Sequence, residues 1–186
     1  MPFGSLWLPV IVSAVVVFVA SSIVHMVLKY HKADYRRLPD EEGVRAALAK
    51  GDPSPGIYFT PYCPDMNMMK DPAIRKQFEA GPVTMLTVLP KGLPAMPKHL
   101  ALWFGFSVAV SFVTAYVARH TLLPGADGML VMRITCTVSF MAYGLSQLID
   151  SIWKGQPWRN TLLHALDGLI YSLLTGLTFR LLWPAA

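Results

Sequence analysis

Charged residues are scarce in this 186-residue chain: Asp, Glu, Lys and Arg make up 15% of it, against 54% for hydrophobic residues. A soluble domain carries about 25% charged residues, so the low value excludes an ordinary soluble enzyme core. The high hydrophobic content excludes a disordered chain. Cysteine is scarce too, with two residues, which excludes a small domain held together by disulfides.

Sequence signatures of catalysis are also missing. The chain contains no HExxH motif, no pair of CxxC motifs and no glycine-rich phosphate loop. No Ser-His-Asp order and no base for a nucleophilic cysteine can be argued from the spacing. The sequence therefore favours a non-enzymatic protein, although it does not exclude an enzyme.

Long apolar runs are what the chain has in abundance. Each is long enough to cross a bilayer, which takes about 20 residues at a rise of 1.5 Å. They cover residues 5–28, 100–118, 129–150 and 161–183. Short connections join the last three, which predicts an antiparallel unit over residues 99–186. A cleaved signal peptide is the minority interpretation of the first run, because no positive residue precedes it. The predicted fold is an all-α membrane protein with four transmembrane helices.

Lys and Arg are distributed unequally between the two sides of these predicted spans. Residues 29–98 hold eleven of them and the turn between the third and fourth spans holds two more, whereas the opposite side has three. Cytoplasmic loops carry the excess of Lys and Arg in membrane proteins. The asymmetry therefore predicts that residues 29–98 lie in the cytoplasm and that both termini lie outside.

The segment between the first two spans is too long for a bare loop and carries signals of local structure. A helix is predicted to begin at Pro39 and to run to about Lys50, and Asp71 is the predicted N-cap of a second helix. Stretches of high β-propensity at residues 56–60 and 83–89 flank that second helix. We expect a small cytoplasmic α/β insertion here.

A basic patch follows the first span directly. It consists of Lys29, Lys32, Arg36 and Arg37. Such a patch attracts anionic lipid at about 1 kcal/mol per charge, but the positive-inside rule predicts these charges for topology alone, and we favour that interpretation. Nucleic acid is not expected as a partner, because acidic residues leave the segment only mildly basic. The expected partners are the lipid bilayer and either a larger membrane complex or further copies of the chain.

Sulfur-containing residues lie close together in the same segment. They are Cys63, Met66, Met68 and Met69. Thiolates and thioethers are soft ligands that select Cu(I), but this spacing matches no specific pattern. Methionine also commonly fills irregular cores. We therefore favour packing in a turn over copper binding.

Polar residues inside the spans are the strongest functional signal, because an ionisable group there is costly and faces the protein interior. In the fourth span they recur at helical spacing on one face, and the third span repeats the pattern. The predicted intramembrane cluster, near the inner boundary, consists of His25, Gln147, Asp150, His164, Asp167 and Tyr171. We expect Asp167 to be buried and hydrogen-bonded to His164 or to a polar residue of the first or third span.

Three interpretations of this cluster are open. In the first, its hydrogen bonds hold helices together, at about 1 kcal/mol each, in an accessory or scaffolding component of the membrane; this is the function we expect. In the second, the acid and the histidines form a proton or ion path in a small transporter or proton-coupled protein. In the third, which the sequence supports least, His25 and His164 bind haem or a metal such as copper.

Two stretches of the sequence carry a resemblance to known proteins. The first is Ser21-Ser-Ile-Val-His-Met26 leading into His31-Lys-Ala-Asp-Tyr35 and Leu38-Pro-Asp40, and the second is Asp167-Gly-Leu-Ile-Tyr171 leading to Thr178-Phe179 and Leu182-Trp-Pro184. Together they resemble a group of small, uncharacterised bacterial inner-membrane proteins with four spans. The resemblance implies a multi-pass protein of the bacterial inner membrane that retains its first helix. It implies no activity, cofactor or partner.

Overall fold

A computed structural model describes residues 3–185, most of which are helical. In chain order the elements are α1 (Trp7–Met26), α2 (Glu41–Gly51), β1 (Gly56–Thr60), α3 (Pro72–Ala80), β2 (Thr84–Val88), α4 (Met96–Thr121), α5 (Gly128–Tyr143), α6 (Leu148–Lys154) and α7 (Trp158–Leu181). Short 3-10 turns at Phe3–Leu6, Tyr30–Ala33, Met66–Lys70 and Leu145–Gln147 connect some of them. The chain divides into two compact units, with Arg36–Pro94 forming the smaller one.

Within residues 3–185, four stretches are long and apolar enough to cross a membrane. They are Gly4–Met26, Met96–Thr121, Gly128–Lys154 and Trp158–Leu181. The predicted fold class is confirmed: four long apolar helices, with a small insertion containing a two-stranded sheet between the first and the second. The side of the membrane on which the insertion lies stays a prediction.

The third span is interrupted, which its apolar pattern did not indicate. Helix α5 ends at Tyr143, a 3-10 turn covers Leu145–Gln147, and α6 continues from there. The interruption lies at a close approach to α7: a Cβ added to Gly168 of α7 would come within 2.5 Å of the Gly144 backbone. Small residues commonly allow membrane helices to approach in this way.

Small hydroxyl side chains fill much of the interior of the helical unit. Those that are fully buried include Ser13, Ser107, Ser111, Thr114, Thr135, Ser139 and Thr175. Several hydroxyls donate to the carbonyl four residues earlier in the same helix, as Thr135 does to Val131 and Thr175 to Tyr171. A hydroxyl satisfied in this way needs no partner on another helix. The helices α5 and α7 therefore pack closely, and α1 packs against α4 and α7.

The smaller unit contains α2, α3 and a β-hairpin whose strands enclose α3 in the chain. Strand β1 pairs with β2 in antiparallel register, with Gly56 opposite Val88 and Thr60 opposite Thr84. The two predicted β-prone stretches, residues 56–60 and 83–89, match these strands to within one residue at each end.

Two aspartates begin the helices of the smaller unit. Asp71 is the N-cap of α3 as predicted, since its carboxylate accepts a hydrogen bond from the Ala73 N–H at 2.8 Å. Helix α2 begins at Glu41 with Asp40 as its N-cap, so the prediction that it begins at Pro39 was wrong. The Asp40 carboxylate satisfies a backbone N–H of the first turn, which a proline side chain cannot do.

Candidate metal centre

Four potential metal ligands from three stretches of the chain converge at one end of the helical unit. We call them the His/Asp cluster: His25, His31, His164 and Asp167. One ligand atom from each residue lies within 4.8 Å of those of the other three. His25 is in the last turn of α1, His31 is in the turn that follows, and the other two are near the start of α7. Sequence-distant side chains are therefore gathered at one point.

Local structure explains how these side chains come together. His164 and Asp167 are three residues apart on α7, so they lie on one face of that helix. Helix α1 packs against α7, which brings His25 to the same region. The turn after α1 is held on the start of α7 by the Asn160 side chain, which donates to the Asp34 carbonyl at 3.1 Å. His31 lies within this anchored turn.

Asp167 is the buried acid of the cluster, with 2% of its surface exposed. One carboxylate oxygen accepts a hydrogen bond from the Tyr30 hydroxyl, and the other lies 2.7 Å from His31 Nε2. The sequence correctly indicated a buried acid, but the hydrogen-bond partners that it predicted were His164 or residues of the first and third spans. The actual partners lie just beyond the first span, because the chain turns back there.

Tyr30 keeps its proton in this environment. Burial, and after it the hydrogen bond to Asp167 and the negative charge of that carboxylate, raise the pKa of Tyr30 above its usual range. The phenol is therefore a permanent hydrogen-bond donor to Asp167 around neutral pH.

A second carboxylate, from Asp34, supports the cluster from the other side of His31. Its Oδ2 lies 2.5 Å from His31 Nδ1 and 3.6 Å from His164 Nε2, and 6% of its side chain is exposed. Arg159 lies 3.7 Å from its other oxygen. A carboxylate on the far nitrogen of a histidine is the usual support of a metal ligand, since it fixes the ring and makes it more basic.

The imidazole ring of His31 stacks on both other histidine rings. Its centroid lies 4.8 Å from that of His25 and 4.9 Å from that of His164, and the ring planes are nearly parallel. His25 Nδ1 lies 3.1 Å from the Ser21 carbonyl, and donation to that carbonyl leaves Nε2 with a free lone pair. His25 is exposed, whereas His31 and His164 are half-buried. The acid of the cluster is thus buried, and His25 is its most exposed histidine.

This donor set has a definite chemical preference. The lone pairs of His31 Nε2 and of the Asp167 carboxylate, 2.7 Å apart, repel each other unless a proton or a cation lies between them. Three imidazole nitrogens with one carboxylate suit zinc, iron, nickel or copper(II). Calcium and magnesium prefer sites built from oxygen ligands.

The other residues predicted for the cluster direct their polar groups elsewhere. Gln147 donates to the Tyr143 carbonyl at 3.4 Å, and Asp150 pairs with Lys154 at 2.7 Å on the same short helix. Tyr171 is buried, with its ring 5.8 Å from that of Tyr143. Gln147 lies in the turn that interrupts the third span and Asp150 in the short helix after it, whereas their depth along a continuous helix was the basis for grouping them.

The basic patch and the sulfur-containing turn lie outside the His/Asp cluster. In the patch, Arg37 pairs with Glu41 at 3.1 Å, and Lys29, Lys32 and Arg36 precede it. A role of the patch in lipid binding stays a prediction.

The sulfur-containing residues belong to the smaller unit. Cys63 is a free thiol whose S–H donates to the Asp65 carbonyl at 3.1 Å. The expected packing role fails for Met66 and Met68, which are 75% and 42% exposed, and Met69 follows them in the same 3-10 turn. Exposed thioethers fill no core.

The sequence analysis missed three residues of the site: His31 of the His/Asp cluster, and Tyr30 and Asp34, which contact the cluster. They lie in the stretch after the first span that also carries the basic patch, and the sequence analysis assigned them no role in the cluster. The signal that could have found them is the His31–Asp34 spacing directly after a span, in a chain with a second His and Asp three residues apart in the fourth span.

Comparisons with known proteins give no match to this chain, neither among family models, nor among curated proteins, nor among solved structures.

Proposed function

We propose that this protein is an integral membrane protein that binds a divalent first-row transition-metal ion at the His/Asp cluster. The observation that carries the proposal is the convergence of three imidazoles and one carboxylate within 4.8 Å. Zinc binds such ligands at about 2.0–2.2 Å, which puts tetrahedral ligand atoms about 3.3 Å apart. To bind one ion, the nearly parallel rings of His25, His31 and His164 must turn so that one nitrogen of each faces a common point.

The charge balance of the site supports a cation. Two carboxylates, Asp34 and Asp167, are almost fully buried. Arg159 lies near Asp34, and Asp167 contacts the uncharged phenol of Tyr30 and the ring of His31. A buried charge is costly unless it is paired or coordinates a metal. A divalent ion on Asp167 and the imidazoles removes that cost.

The surroundings of the ligands support the same conclusion. His31 is oriented by the Asp34 carboxylate and His25 by the Ser21 carbonyl. Each interaction occupies one ring nitrogen. The other nitrogen of His31 faces the Asp167 carboxylate, where a metal would replace the shared proton. Support of this kind for ligating histidines is typical of metal sites.

Proton transfer is the second candidate function, favoured by the position of His31 between two carboxylates. An imidazole that contacts an acid through each nitrogen can pass a proton from one to the other. The scaffolding role favoured by the sequence requires none of these ionisable groups. We therefore rank metal binding first, proton coupling second and a purely structural role third.

We further propose that the cluster lies at the cytoplasmic face of a bacterial inner membrane. Thirteen of the sixteen Lys and Arg residues fall on the side where α1 ends and α7 begins. The positive-inside rule assigns that side to the cytoplasm. A metal bound there is accessible from the cell interior.

Metal retention by the purified protein tests the proposed function. Protein in detergent is equilibrated with Zn²⁺, dialysed, and analysed for metal; we expect about one ion per chain. His31→Ala and His164→Ala should each lose most of it. The matched control is His120→Ala, because His120 is exposed and bonds only to the Tyr116 carbonyl of its own helix among the contacts described for it. Equal zinc content in all four proteins, or none in the parent, would refute metal binding at the cluster.

A further inference from the structure

We propose, on the basis of the metal centre proposed above, that the bound metal takes the carboxylate head group of a single-chain lipid, whose tail lies in a groove between α1 and α4. The groove has a volume of about 460 Å³ and is lined mainly by Ser21, Ser22, His25 and Met26 of α1 with Leu100 and Trp103 of α4. His25 belongs both to this lining and to the His/Asp cluster. The groove therefore ends at a metal ligand.

The groove offers an apolar wall to a ligand, because its own polar groups are already engaged. The Ser21 hydroxyl donates to the Phe18 carbonyl and accepts from Trp103 Nε1, both at 2.8 Å. The Ser22 hydroxyl also donates to the Phe18 carbonyl, at 2.9 Å. No hydroxyl or indole proton of these three residues is left to donate to a guest. An aliphatic chain suits this wall, and a polar molecule would lose its water without compensation.

The exposed ligand of the metal centre is the one that lines the groove. Asp167 is buried, whereas His25 is exposed and forms part of the groove wall. In the proposed centre three histidines and Asp167 already supply four ligands, so a head-group carboxylate would be a fifth ligand, added on the exposed His25 side. Zinc expands from four to five ligands in some catalytic sites.

Charge selects the head group. A divalent ion with three neutral imidazoles and the Asp167 carboxylate has a net charge of about +1. Asp34, the other nearby acid, lies beside the Arg159 cation. One further negative charge would neutralise the metal centre at the edge of the membrane. A carboxylate supplies that charge together with an oxygen ligand, which zinc, iron, nickel and copper(II) accept.

Volume and position select the tail. A cavity of about 460 Å³ is in the range of pockets that hold one small molecule, roughly 300–1,000 Å³. It suits one acyl chain rather than a phospholipid with two. Both helices that form the groove are membrane spans, so the ligand enters from the bilayer. A fatty acid has this combination of one tail and one carboxylate.

Cobalt-loaded protein provides a direct test, because the visible spectrum of Co²⁺ responds to a new ligand. Dodecanoate added to the Co²⁺ protein in a neutral detergent should shift the spectrum saturably, whereas dodecanol and acetate at the same concentration should not. The metal content is measured after each titration to show that cobalt stays bound. Leu100→Trp, which fills the groove, should keep its cobalt and weaken dodecanoate binding at least tenfold. Leu102→Trp is the matched control, since Leu102 is 61% exposed on the same helix and does not line the groove.

The possible outcomes separate this inference from the proposed function. Cobalt that binds with normal stoichiometry but gives no response to dodecanoate would overturn the lipid ligand and leave the metal centre standing. An equal response to acetate, or unchanged dodecanoate affinity in Leu100→Trp, would overturn the role of the groove. A two-chain phosphatidylglycerol that competes as well as dodecanoate would overturn the single-chain assignment. Absence of bound cobalt would overturn the metal centre first and the lipid ligand with it.

Discussion

His31 is the residue on which the site depends most, because each of its ring nitrogens faces a carboxylate oxygen. The distances are 2.5 Å to Asp34 and 2.7 Å to Asp167. If a metal replaces the proton on the Asp167 side, Asp34 becomes the group that orients the ring. Asp34 is then a positioning residue and Asp167 a ligand.

Replacement of Asp34 should therefore weaken metal binding without abolishing it. Loss of a supporting carboxylate typically costs 10- to 100-fold in metal affinity, and we expect that range for Asp34→Asn with about one ion per chain still bound at saturation. Competition against a chelator of known affinity measures the change. Asp150→Asn is the control, because Asp150 pairs with Lys154 outside the cluster. Equal affinities for both variants would contradict the positioning role.

Two substitutions at Asp167 separate its hydrogen bonds from its charge. Asp167→Asn keeps an acceptor for the Tyr30 hydroxyl, so the metal-free protein should unfold at nearly the parent temperature. Asp167→Leu removes the acceptor of this half-buried hydroxyl, which costs at most about 1–3 kcal/mol, and should lower the unfolding temperature. Both variants should lose metal affinity. Thermal unfolding in detergent distinguishes them, and a leucine variant as stable as the parent would show that the acid does not hold the turn in place.

At the scale of secondary-structure elements, the contact between α5 and α7 depends on glycine. A Cβ on Gly168 would lie 2.5 Å from the backbone of Gly144, so Gly168→Ala must push the two helices apart. Overpacking of this kind costs about 1–3 kcal/mol. Gly105→Ala is the matched control, since nothing lies within 4 Å of the added methyl group there, and it should be neutral or slightly stabilising. Equal unfolding temperatures for the two variants would show that the close approach is not required.

The elements also show which features the sequence could predict. Length and hydropathy were enough for the four spans, and β-propensity with flanking breakers was enough for strands at residues 56–60 and 84–88. The interruption after Tyr143 was not predicted, because the apolar run continues through it and the close approach of Gly168 to Gly144 brings together residues that are distant in the sequence. His164 and Asp167 were predictable from helical spacing. His31 and Asp34 were not, because their positions depend on where the turn after α1 packs.

At the scale of the whole molecule, topology is the prediction with the widest consequences. In intact cells of a variant without Cys63 and Cys136, a cysteine at Lys50 should be protected from a membrane-impermeant maleimide and one at Pro124 should react. The unequal distribution of Lys and Arg predicts this pattern. Opening the cells should make the Lys50 site reactive. The reverse pattern would put the His/Asp cluster on the outer face.

X-ray absorption at the zinc edge of the zinc-loaded protein tests the metal centre most directly. The account predicts a first shell of nitrogen and oxygen at about 2.0–2.2 Å, with the outer-shell scattering of imidazole rings and no sulfur. The outer-shell imidazole signal should decrease in His164→Ala and stay unchanged in His120→Ala. Sulfur at about 2.3 Å would assign the metal to Cys63 or Cys136, and a shell without imidazole scattering would contradict binding at the His/Asp cluster.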